Sequence, residues 1–191
     1  MASTLRSLGN LALVFIAFGC GRNANTAVPA GVDAGAVTAA MLVRPAEVDD
    51  LWTRAAAGEA DDLARLANRE GTTGLIERGG EPAFRKTAIL ALTYADGYDA
   101  LPFLGEVAGG TDEANALLAA QTAVDIASRP RRSVDPEDAL EVREGCDRLL
   151  AIAKQTEKPR RLRVALVRAL RMFADLGFVK PADIPTDVDA H

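Results

Sequence analysis

Two cysteines, one histidine and a run of arginines are the residues best able to do chemistry, and their spacing narrows what that chemistry is. Zinc sites and serine–histidine–acid triads need a histidine held inside a fold, and the single histidine is His191, the last residue. Cys20 and Cys146 stand too far apart for a metal-binding spacing. Asp49 with Asp50, and Asp61 with Asp62, are adjacent in sequence, so on a helix they point apart and cannot serve as a facing acid and base. "RGGEP" lacks the lysine and hydroxyl of a phosphate loop. No catalytic residue, metal site or cofactor is therefore expected, and the chain is not read as an enzyme.

Charge asymmetry remains. Between Lys158 and Arg171 stand Arg160, Arg161, Arg163 and Arg168, with no acidic residue among them. At 100° per residue, Leu162, Leu166, Ala169, Leu170 and Phe173 share one side, and Arg160, Arg161, Arg168 and Arg171 fall opposite. Such a stripe suits an acidic partner, whether anionic lipid head groups or a carboxylate-rich peptide. The competing reading is a solvated face answering the neighbouring acidic stretch "VDPEDALEVREG". Nucleic acid is not expected of a chain with formal charge −5 and 5% aromatic residues. Cys146 lies in the apolar stripe Ala139, Val142, Leu149, Leu150 and Ala153, which predicts a buried small side chain in place of a reactive thiol. Trp52 and Tyr98 are read as packing residues.

The elements that must position these residues are helices. Hydrophobic residues make up 49% of the 191 positions, yet few are aromatic, so the apolar content is mostly alanine, leucine and valine. Two short helices are expected around Leu51–Ala55 and Leu63–Ala67, broken at Gly58, with Gly71 and the pair Gly79 and Gly80 as further punctuation. Pro82 opens the next helix, whose stripe is Phe84, Ala88, Ala91, Leu92 and Ala95; Gly97 ends it. A shorter helix over 99–108 stops at Gly109 and Gly110, and Thr111 with Asp112 and Glu113 starts another. In that one Leu118 and Ile126 lie off the main stripe of Ala116, Leu117, Ala120, Val124 and Ala127, which predicts a helix covered on more than one side.

"RKTAILAL", "LLAAQTAV" and "RLRVALVRAL" share a pattern in which Ala91, Ala123 and Ala169 align, 32 and then 46 residues apart, with "SRPRRSVDPEDA" an inserted loop in the larger step. "YDALPFLGEV" followed by "TDEANALLAAQTAVDIA" resembles a HEAT-like repeat, a Leu-Pro first helix and a second helix with the alanine–leucine stripe. The resemblance covers about Glu81 to Val179 and implies an all-α fold, a short α-solenoid of helix pairs with an exposed binding groove. The alternative architecture is an irregular helical bundle. HEAT-like proteins that resemble bilin lyases supply the enzymatic alternative, although no residue here matches their functional positions.

The N-terminus gives an address. Arg6, the apolar run Leu11 to Phe18 and then small residues have the layout of a secretory signal, and eight apolar residues are too few to span a bilayer. "AFGC", Ala17 to Cys20, resembles the lipobox of bacterial lipoproteins, although Ala17 stands where leucine is usual and Phe18 is bulky. The resemblance implies cleavage before Cys20 and acyl chains, such as palmitate, on Cys20. Ordinary signal cleavage would break the same bond without lipid. Gly21 replaces the aspartate of the inner-membrane retention signal, which implies an outer-membrane lipoprotein facing the periplasm. The chain is thus divided into a signal peptide over 1–19, a flexible tether over 20–47, a helical repeat domain over 48–180 and a C-terminal tail over 181–191. The tether would average roughly 30 Å end to end; a short helix near Ala36 to Val43 is its alternative. The expected function is a lipid-anchored, periplasmic protein-binding or scaffolding module, with an enzyme subunit and an unlipidated secreted domain as the alternatives.

Overall fold

A computed structural model describes residues 46–129 and 138–188 of the chain, all within the single unit 43–191. Among these described residues seven helices follow in order: α1 (Ala46–Ala55), α2 (Ala60–Gly79), α3 (Pro82–Leu92), α4 (Leu101–Gly109), α5 (Glu113–Ser128), α6 (Asp138–Ala153) and α7 (Arg160–Asp175), then a 3-10 turn at Pro181–Asp183. No strand occurs among the described residues, and none of their helices is long and apolar enough to cross a membrane.

Local chemistry accounts for the boundaries. Gly58 separates α1 from α2 at φ +85°, a left-handed backbone that a side chain would strain. Pro82 occupies the first turn of α3, where its missing N–H loses no helical bond. Asp112 caps α5, its carboxylate accepting from the backbone N–H of Ala114 and Asn115 at 3.1 and 3.0 Å. The end of α4 is capped from far along the chain: Lys158 Nζ donates to the carbonyls of Gly109 and Gly110 at 2.9 and 3.2 Å. At Gly71 the backbone leaves helical geometry (φ +64°, ψ 177°), and the helix resumes beyond it.

Packing runs mostly between near neighbours in the chain. α2 lies on α1 and α3; α4 lies on α5 and α6; α5 also meets α3 and α7; α6 meets α7. The aligned Ala91, Ala123 and Ala169 are all fully buried, one each on α3, α5 and α7. With three neighbours, α5 buries Ile126 completely and Leu118 in part, although both lie off its main stripe. The steps are unequal: α3 meets α5 far less extensively than α5 meets α7, and α1 touches α3 as well as α2. The fold is an all-α, multi-helix bundle with irregular spacing. That corrects the expectation of a regular HEAT-like solenoid toward its alternative, because successive helices do not repeat one equal step of packing.

One polar cluster lies in the α1–α3 end of the core. Trp52 meets Phe84 edge to face at 5.6 Å, and the Arg78 guanidinium stacks 4.1 Å from the Phe84 ring centre and 5.3 Å from that of Trp52. Asp49 holds Arg78 at 2.8 Å. Beyond α7, Gly177 turns the chain at φ +82°, and Ile184 and Val188 return to the core.

Candidate functional site

α7 divides as its periodicity predicts. Leu162, Leu166, Ala169, Leu170 and Phe173 are buried, while Arg160, Arg161, Arg168 and Arg171 are exposed. Arg163 behaves differently: it is buried, donating through Nε to the Ala153 carbonyl at 2.9 Å and pairing with Asp187. A guanidinium without water needs such partners, so Arg163 and Lys158 fasten the fold instead of facing a ligand.

Between α5 and α7 runs an open groove of about 900 Å³. Leu117, Gln121, Val124 and Asp125 form its α5 wall; Arg160, Arg161, Val164, Ala165 and Arg168 form the α7 wall. Three of the four arginines expected from the sequence therefore converge on one concavity, and Arg171 lies outside its lining. The α5 wall was not anticipated. Leu117 and Val124 read as core residues, yet they stand at the edge of the buried stripe, where one side of each meets the groove.

The groove's electrostatics follow from its pairing. Among the described residues no carboxylate lies within ion-pair distance of Arg161 or Arg168, and Arg160 has the Val188 carbonyl at 3.5 Å. On the acidic neighbour α6, Glu144 pairs with Arg148 of its own helix at 2.7 Å. Asp125 is the one carboxylate among the described residues of the lining. An apolar floor with guanidinium groups along one rim can hold an anionic, partly apolar surface through paired N–H donors. Among the described residues, the lining contains no histidine, cysteine or serine.

The remaining candidate residues separate from this groove. Asp49 pairs with Arg78 and Asp62 lies 3.5 Å from Arg54, so these two carboxylates tie α1 to α2, while Asp50 pairs with Arg54 within α1. Cys146 is buried, and desolvation, with Asp147 beside it, raises its thiol from 9.0 to about 12. Among the described residues no three metal-ligating side chains gather. Cys20, the signal, the tether as far as residue 45 and the loop over 130–137 lie outside the described residues, while Ala46 and Glu47, placed in the tether by the sequence, are the first two residues of α1. No protein-family model, no curated protein and no solved structure matches this chain.

Proposed function

We propose that this chain is an exported helical binding module that holds an acidic, partly apolar protein surface in the α5–α7 groove. The observation that carries the reading is the pair Arg161 and Arg168, exposed and without an ion pair among the described residues, beside an apolar floor that includes the 45%-exposed Val164. Charged side chains so placed give orientation and rate of encounter, and the apolar floor gives the contact area. Within the irregular bundle, the packing of α5 on α7 supplies the two walls of this groove. The lipobox-like "AFGC" supports attachment through acyl chains on Cys20 at the periplasmic face of the outer membrane. The unlipidated secreted domain differs from this only in the chemistry of Cys20. It leaves the groove's role intact.

A photo-crosslinking residue placed at 164 in the full chain, expressed in a Gram-negative host, tests the groove. Protein adducts that vanish in an Arg161→Glu, Arg168→Glu variant are expected; adducts unchanged by that reversal, or equal to those from exposed Ala83, would return the arginines to plain solvated surface. Labelled palmitate tests the anchor separately. Incorporation lost in Cys20→Ala is the expected result, and a mature chain without label identifies the secreted form.

A further inference from the structure

The groove rim and one other exposed feature of the same chain are complementary. At the start of α6, Leu140 is 73% exposed, the most exposed large hydrophobic residue described. Exposed Glu141 and Glu144 flank it. The opposite side of α6 is already used: Val142, Cys146, Leu149 and Ala153 are buried, and the helix packs there on α4 and α7. Among the described residues, no other element of the chain packs on this exposed ridge.

Spacing matches as well as charge. Leu140 and Glu144 stand four residues apart, as do Val164 and Arg168 on the groove's α7 wall. Residues four apart on a helix share a face about one turn, roughly 6 Å, from each other. A leucine entering the groove against Val164 would bring a glutamate one turn away to Arg168, with the second glutamate beside it. Glu144 would exchange its exposed partner Arg148, a surface pair that contributes little, for a guanidinium next to an apolar contact.

We infer that the α5–α7 groove of one copy receives the Leu140–Glu144 ridge of a second copy, so that the chain associates with itself through groove and ridge. This rests on the groove being a docking surface, and it names the occupant. Groove and ridge are different surfaces, so two copies either exchange both contacts about a two-fold axis or continue head to tail. A ridge this short makes a weak contact, and attachment of both copies to one membrane would raise their effective concentration.

The test uses the full chain in cells, with the crosslinking residue again at 164. The expected product is a dimer whose adduct maps to the peptide containing Leu140 and Glu144. Arg161→Glu with Arg168→Glu should reduce it at least about tenfold, the change expected when a close charge pair becomes repulsive. Glu141→Arg with Glu144→Arg should do the same. Coexpressing the two reversed chains should restore the crosslink between them, which a misfolded variant could not do. A dimer crosslinked elsewhere, or reversed pairs that fail to rescue while both retain the parent helical melt, overturns self-association. Adducts only with a different protein also overturn it while leaving the groove's docking role standing; no adducts at all remove both.

Discussion

Two charged or ionisable side chains in the core show how burial decides what a residue can do. Cys146 keeps its proton because desolvation, helped by Asp147, raises the thiol from 9.0 to about 12. Native protein should then leave Cys146 unmodified by a thiol reagent at pH 8 while denatured protein reacts fully; rapid native labelling of its peptide would contradict the burial. The same shift sets a direction for stability. Between pH 9 and 12 the folded thiol retains a proton that the unfolded one loses, so the stabilisation present below pH 9 declines as pH rises, by at most about 1.4 kcal/mol per unit. Cys146→Ala should remove that part of the alkaline slope in chemical-denaturation curves. Arg163 is the opposite case, a permanent charge that stays buried only because Ala153 and Asp187 hold it. Asp187→Asn should cost about 1–2 kcal/mol in urea denaturation, less than for a fully buried pair because the Asp187 side chain is 52% exposed. An unchanged midpoint would mean that water takes the carboxylate's place.

Among the helices, the tightest fit lies where α4 crosses α6. A Cβ at Gly145 would stand 2.4 Å from Leu101 Cβ and 2.9 Å from the Leu101 backbone, and one at Gly105 would stand 2.8 Å from Arg148 Cβ. Gly145→Ala should therefore destabilise the fold by about 1–3 kcal/mol through forced separation of the two helices, despite alanine's better helix propensity. Should the thermal midpoint rise instead, propensity outweighs packing and the crossing is looser than described. Asp112→Ala should cost about 1 kcal/mol by removing the cap of α5, again read from the denaturation midpoint. These two residues also divide what the sequence reveals from what it hides. Asp112, Pro82 and Gly58 act on the backbone within a turn of themselves, so their roles can be read along the chain. Gly145 lay inside an apolar stripe with nothing to distinguish it, because its partner Leu101 is 44 residues away. Arg160, Arg161 and Arg168 were recognisable as an exposed stripe, but their pairing with Leu117, Gln121, Val124 and Asp125 depends on how α5 meets α7. Arg163 shows the limit of a helical wheel, which gives an angle and not the residues that arrive at it from Val188 and its neighbours.

Across the whole described body, the chain closes on itself at its C-terminal end. The sequence alone divides residues 181–191 from the helical domain, and within that segment Ile184 and Val188 are buried, Asp187 pairs with Arg163, and the Val188 carbonyl lies 3.5 Å from Arg160. Arg160 also lines the groove, so the returning segment touches both the core and the docking surface. Truncation after Lys180 would uncover the apolar surface beneath two side chains, contributing about 1.5–3 kcal/mol each when fully buried, and leave Arg163 without its carboxylate. The expected result is a loss of several kcal/mol, with hydrogen exchange accelerating first along α7, and weaker crosslinking from position 164 as Arg160 loses its support. Because α7 supplies one groove wall and packs on both α5 and α6, loosening it should disturb binding before the α1–α3 end unfolds. A truncated chain that melts like the parent and keeps its crosslink would show that the segment merely rests on α7, and that the helices alone hold the groove in shape.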